Sequence, residues 1–440
     1  MVIPCLVKPN MFSTNFSLQK IGCNLMLCTA FLCGGPVFAQ NQHNNTKPPA
    51  MPTDPMSGHG HGVDHHQAHS MTQTPIREVM LPEGLSSAQS MAVDSTGRVW
   101  FTEKVGKNLA MYDPDKKEFS IHPLPASWGK IGFSNMAMAP DGDIWFTVTR
   151  WIESAEEPHV LGRFSPADGY FTKYAIPHGS IPEELTVDSN GAVWFVASNK
   201  NYLYRVDPKT FALKGYPIPT ADGNPKSLAA DQNGHIWFAE PTANKIGEFV
   251  PEQEVFYEHE LLTQFANPGK ISIDKRGRVW FVEVTANRIG VYTPEHKRFD
   301  EVIIPTPSSS PVALINDDHG NVWFLEYKGN KVGVFNPEKA TFHEFDIPSF
   351  GSLPADMAID RKRSLLWFTQ SSTEAKRLGV IAIDEALAEI NRQNNTSPPA
   401  HAESASGGSA QKWLAYLIAI MGVGMLGAWL TRRFRKDRPS

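Results

Sequence analysis

The dipeptide Trp-Phe occurs seven times, at 100–101, 145–146, 194–195, 237–238, 280–281, 323–324 and 367–368, at intervals of 43 to 49 residues. A repeat of that period restricts the chain to an array architecture before any local propensity is weighed. The same signals surround each pair. Upstream, an apolar strand ends in Asp, as in SMAVD (90–94), SLAAD (227–231) and KISID (270–274). A turn with glycine follows (Gly97, Gly142, Gly191, Gly234, Gly277, Gly320), and then the Trp-Phe strand. Next comes Asn-Lys/Arg-Ile/Val-Gly, clearest at 244–247, 287–290 and 330–333. A Pro turn such as Asp207-Pro208 leads to a last strand ending in Pro, as in FHEFDIP (342–348). Asp accepts backbone N–H bonds in such a turn, and Gly tolerates positive φ.

Four short strands per unit are a propeller blade, and seven units close into a ring. A solenoid is the competing architecture, but four strands per repeat and the lack of a capping repeat argue against it. The seventh repeat stops after its third strand, near Val380–Asp384. The segment IREVMLP (76–82) stands before the first repeat and matches the fourth-strand pattern of FDEVIIP (299–305). The N-terminal strand is therefore expected to complete the last blade, which removes an exposed sheet edge. The expected fold class is all-β: a seven-bladed β-propeller of four-stranded blades over 76–384, closed by an N-terminal strand and followed by a C-terminal transmembrane helix.

The composition, 41% hydrophobic and 20% charged, is that of a globular chain. All four cysteines lie within the first 33 residues, which excludes thiol catalysis and zinc–cysteine sites in the body. Residues 40–430 carry 34 basic and 45 acidic side chains, a net of −11, so no nucleic-acid partner is expected.

The ends read as address signals. Residues 21–39 form an apolar run after Lys20 and finish Val37-Phe38-Ala39, so 1–39 is expected to be a signal peptide, with an N-terminal anchor as the alternative. Residues 413–430 contain no charge and reach about 27 Å as a helix, enough for the hydrocarbon layer. Trp413, Tyr416 and Trp429 suit its interfaces, and the basic tail 431–440 is expected in the cytoplasm. The propeller then stands outside the cytoplasm, periplasmic or at the cell surface, with 385–412 as a linker. Ser406-Gly407-Gly408-Ser409 before that helix resembles a C-terminal sorting signal of the Gly-Gly type.

The motifs WFAEPTANKIGEF, WFVEVTANRIGVY and WFLEYKGNKVGVF make residues 76–384 resemble the streptogramin B (virginiamycin B) lyase family of seven-bladed propellers. The resemblance implies Mg²⁺, a histidine base and acidic metal ligands, used to open a cyclic antibiotic by elimination across an ester. It also implies that the histidines follow Pro at the start of the innermost strands of blades 6 and 7. Val312 and Ala355 occupy those positions here, and neither accepts a proton. The acidic position before the blade 7 Pro is Leu353, and the one after its Trp-Phe falls near Gln370 and Ser371. In the other blades the histidine-equivalent positions read Gln89, Ser134, Glu183, Lys226 and Gly269.

What remains is a set of charged candidates for the axial face. Glu103, Glu240, Glu283 and Glu326 follow Trp-Phe by two residues, and Glu183, Glu184, Lys226, Lys270 and Asp356 start inner strands. They suit a cation or a polar ligand, or else pair with one another around a wet channel. The blade 2 insertion 150–160 is expected to overhang the same face, either shaping a specific pocket or as a long loop only.

Residues 40–75 are polar and aperiodic, a disordered linker by composition. Their His59, His61, His65, His66 and His69, with three Met residues, suit Cu²⁺ or Zn²⁺; a polar spacer is the plain alternative. Two functions stay open. One is a membrane-anchored module that binds a small molecule or protein. The other is a metal-dependent lyase of the streptogramin C–O elimination type, or a lactone hydrolase.

Overall fold

The computed structural model describes residues 74–103, 106–129, 131–150 and 159–396. They form seven antiparallel four-stranded sheets, in six of which the strands follow chain order from the inside out. Blade 5 is representative: Pro268–Ile273, Val279–Glu283, Arg288–Thr293 and Arg298–Ile303. The first strands of successive blades touch one another all the way round, so they line the axis.

The ring closes as the sequence implies. Ile76–Met80 pairs antiparallel with Arg377–Ala382, so the seventh sheet contains the first strand of the chain and the last three. Side-chain chemistry repeats at the seam. Glu78 receives Arg377 at 2.7 Å and the Ser349 hydroxyl at 3.0 Å. In blade 5, Glu301 receives Arg288 at 2.8 Å and the Thr263 hydroxyl at 2.6 Å.

The Trp-Phe dipeptide follows from strand alternation. Successive side chains point to opposite faces, so Trp and Phe serve different blade interfaces. Trp194 of blade 3 packs with Phe238 and Phe249 of blade 4, Trp237 of blade 4 with Phe281 of blade 5, and Trp280 of blade 5 with Phe324 of blade 6. The pattern returns at closure, where Trp367 of blade 7 packs with Phe101 of blade 1. The indole N–H of each also needs a partner once buried. In five blades it donates to the turn Asp six residues earlier, as from Trp100 to Asp94 at 3.0 Å, Trp194 to Asp188 at 2.9 Å and Trp280 to Asp274 at 2.9 Å; in blades 2 and 7 that position is Ala139 and Arg361, and Trp367 Nε1 has no partner among the described residues.

The third-strand glycine is explained by the same ring. A Cβ on Gly247, Gly290 or Gly333 would lie 2.1, 2.2 or 2.0 Å from the phenyl ring of Phe238, Phe281 or Phe324. Only glycine admits the ring there. The preceding Asn adopts left-handed backbone and ties down the next crossover: Asn287 Nδ2 donates to Thr306 O at 2.9 Å, and Ser309 N donates to its Oδ1 at 2.8 Å.

The structure departs from the sequence reading after the last strand. The segment expected to enter a linker forms helix α1, Ile383–Thr396. Ile383, Ala386, Leu387 and Ile390 lie on Val332, Val334 and Ile347 of blade 6. The i, i+3, i+4, i+7 spacing of these four residues carries the helix. Among the described residues no helix is long and apolar enough to cross a membrane. The expected signal peptide (1–39), His/Met tract, membrane helix (413–430) and basic tail lie outside the described residues, as do 151–158 of the blade 2 insertion.

Candidate functional site

One end of the ring, the mouth, is formed by the crossovers between blades and the loops leaving the second strands. Backbone bonds join the two sets: Thr242 N to Gly223 O at 3.2 Å and Tyr327 N to Ser310 O at 3.1 Å. The first strands enter from here, and in blades 2, 3, 5, 6 and 7 they begin with a register shift. A bulge of this kind re-aims side chains and is common beside functional sites.

Residues within the bulges of blades 3, 5 and 7 meet across the axis. Lys270 of blade 5 is salt-bridged to Glu184 of blade 3, and its Nζ lies 3.6 Å from Asp356 of blade 7. Asp356 Oδ2 accepts the Ser90 hydroxyl at 2.9 Å and Met91 N at 3.0 Å from blade 1. Burial alone would depress the Lys270 ammonium, but Asp356 and Glu184 outweigh it and hold it above the usual lysine range. Burial pushes the Glu184 carboxyl up, against the pull of Lys270. The triad joins blades 3, 5 and 7 across the axis through one ammonium shared by two acids.

Glu183 and Lys226 lie at the mouth but do not join the triad. Glu183 Oε1 accepts the Ser198 hydroxyl at 2.8 Å. Lys226 is exposed and makes no ion pair among the described residues. It lies on a cleft of about 540 Å³ between blades 4 and 5, with Asn224, Phe265, Asn267, Gly269 and Val284 also lining it.

The four Glu residues that follow Trp-Phe are buried and do not meet one another. Glu103 is satisfied within blade 1, accepting Ser86 N at 2.7 Å and Asn108 Nδ2 at 2.5 Å. Glu240, Glu283 and Glu326 each face a second carboxylate on the fourth strand of their own blade: Glu258, Glu301 and Glu344. Burial, reinforced by that neighbour, pushes Glu240 up to about 7 and Glu283 and Glu326 up to about 8. The fourth-strand partners go the other way. Burial would raise Glu258 and Glu301, but a crossover Thr and the Lys245 ammonium or Arg288 guanidinium hold them below the usual range. In blade 7 the position of Glu326 is taken by Gln370, whose Nε2 donates to Glu78 at 2.8 Å. Gln370 thus brings an amide donor to its fourth-strand acid, whereas in blades 4 to 6 a Glu raised by burial stands there and both its carboxyl oxygens are buried with no hydrogen-bond partner among the described residues. Sequence reasoning missed the fourth-strand acids; the signal was their recurrence 13 residues after the Lys or Arg of the motif.

The virginiamycin B lyase family model matches residues 74–381. The chain belongs to the virginiamycin B lyase family. Its fold is similar to that of a virginiamycin B lyase from Staphylococcus aureus at 25% identity and TM-score 0.61, over 69% of this chain and 98% of that one. A catalytically inactive variant of the lyase from the same organism, solved with quinupristin, is similar at 24% identity and TM-score 0.61, over 69% and 98%. YCF48 from Cyanidioschyzon merolae shares the fold alone, at 13% identity and TM-score 0.56, over 70% and 99%. No curated protein matches the chain.

Within this family the departures now have places. Pro311–Asn316 and Pro354–Asp360 are the innermost strands of blades 6 and 7, and Val312 and Ala355 are their second residues. Among the described residues the donor set does not fit the Mg²⁺ that the family resemblance implies. The described residues contain no group of three or more His, Cys, Asp or Glu able to hold a metal ion, and the axial acids surround an ammonium instead.

Proposed function

We propose that this family member is a binding module, exported and held at a membrane by its C-terminal segment, and that it presents the propeller mouth to a small ligand. One observation carries the binding role: the two mouth positions where the family places its histidines hold Val312 and Ala355, which neither accept a proton nor bind a metal. The neighbouring acids do not replace them. Glu184 and Asp356 are engaged by Lys270, while Glu240, Glu283 and Glu326 are buried away from solvent. Export and anchoring rest on the sequence of 1–39 and 413–430. A lyase is the second reading, favoured by family membership.

The test is direct. Detergent-solubilised full-length protein is incubated with a type B streptogramin and Mg²⁺, and the ring-opened product is sought by chromatography. The expected result is intact antibiotic. Catalytic linearisation that follows enzyme concentration would establish the lyase and overturn the proposal.

A further inference from the structure

We infer that the cleft between blades 4 and 5 is a binding site for small carboxylates bearing a flat apolar group, such as aromatic carboxylic acids. The inference rests on the binding-module reading and assigns it one place on the mouth.

The cleft opens at the mouth position that has no side chain. The matching positions in the other blades hold Gln89, Ser134, Glu183, Lys226, Val312 and Ala355, whereas blade 5 has Gly269. A Cβ there would lie 3.0 Å from Val282 Cγ2 and 3.1 Å from Val284 Cγ2. Its absence leaves an apolar floor. The volume of about 540 Å³ is within the usual range for small-molecule sites.

Lys226 supplies the charge. The recurring cations of this fold are consumed internally: Lys245, Arg288 and Lys331 by fourth-strand acids, Lys270 by the axial triad. Lys226 has no such partner among the described residues. Its backbone is nonetheless held, because Glu184 N donates to Lys226 O at 3.3 Å. A single ammonium with no arginine or helix N-terminus beside it matches a monoanion better than a phosphate.

Phe265 supplies the flat surface. It is 83% exposed, with φ of +56°. Left-handed backbone is unfavourable for a bulky residue. The matching crossovers make the same turn with Asp222, Ser308 and Gly351, so the fold does not require an aromatic there. A phenyl group held in strained backbone on the wall of a cleft is suited to stacking on a ligand. Asn224 and Asn267 add amides that orient a carboxylate.

The test uses the full-length protein in detergent and 2-naphthoate as the probe, with 2-naphthamide and inorganic phosphate for comparison, followed by calorimetry. Naphthoate is expected to bind, and naphthamide and phosphate at least about tenfold more weakly. Lys226→Met should lose about tenfold in affinity and Phe265→Ser several-fold, with melting temperatures as in the wild type; Lys226→Gln serves if the Met variant is unstable. No naphthoate binding at millimolar concentration, or equal binding by both variants, would overturn the assignment. Equal binding by the variants would still leave a ligand-binding mouth, whereas streptogramin turnover is read separately, so the two proposals fail on different results.

Discussion

Lys270 on the innermost strand of blade 5 is salt-bridged to Glu184 on the innermost strand of blade 3, 86 residues earlier and two blades round the ring. The bond crosses the channel, and Asp356 of blade 7 completes it from a third side. Removing the ammonium strands two carboxylates in a largely buried place. Lys270→Met is expected to cost about 3–5 kcal/mol, with much of it recovered when Glu184→Gln is added. Urea unfolding measures both; an unchanged midpoint in the single variant would show that water already screens the triad.

Stability should fall as pH rises from about 5 to 9. Below the ordinary Glu value of 4.5, folded and unfolded chains both hold the protons of Glu240, Glu283 and Glu326. Between 4.5 and their native values of about 7, 8 and 8, only the folded chain keeps them. Where the folded state binds more protons, raising pH lowers stability, and this loss is complete above about pH 8. The lowered fourth-strand acids Glu258, Glu301 and Glu344 act oppositely, contributing above 4.5 and failing as pH falls towards their native values. The triple variant Glu240→Gln, Glu283→Gln, Glu326→Gln copies Gln370 of blade 7 and should flatten the decline between pH 5 and 9. An identical slope in wild type and variant would count against protonated carboxyls at these sites.

Deleting Ile76–Met80 should unseal blade 7. The edge strand Arg377–Ala382 would lose its ladder partner, Ile76 would leave the core, and Arg377 would lose Glu78. Aggregation or a clearly lower melting temperature is expected, because an unpaired strand edge recruits other chains. A monomer that melts where the wild type does would mean that the ring holds with three strands in its last blade.

Asp274→Ala should destabilise by about 1–3 kcal/mol. The carboxylate accepts Trp280 Nε1 at 2.9 Å and also the turn amides of Arg276 at 2.9 Å and Arg278 at 3.0 Å. Asp274→Asn keeps an acceptor oxygen and should lose less. Equal losses in the two variants would point to charge with Arg278, rather than the indole bond, as the main term.

An alkaline phosphatase fusion at residue 400 should be active if, as we propose from the sequence of the two ends, residues 40–412 lie outside the cytoplasm. Activity of a cytoplasmic reporter at the same position would reverse the orientation.

Much of the fold was legible because it is periodic. The Trp-Phe pair recurs seven times and the glycine turn six, the orphan strand 76–82 supplies the fourth strand that the last repeat lacks, and each signal acts within a few residues of itself. Even the closure of the ring could be counted from strands present and missing. Helix α1 was overlooked because its four apolar residues are a short stripe that gains meaning only against Val332 and Val334 of blade 6.

The site was less legible because its contacts are long-range. Sequence determined that Val312 and Ala355 stand where the family places histidine, and that Lys226 and Gly269 share one register position. Only tertiary structure decided that Lys270, Glu184 and Asp356 meet across the axis while Glu240, Glu283 and Glu326 turn inward to their own fourth strands. The reason is geometric. A residue two past Trp-Phe and a residue two past the entry proline both read as mouth-facing charged groups along the chain, but a bulge aims the second at the channel, and strand alternation aims the first at its own blade's fourth strand.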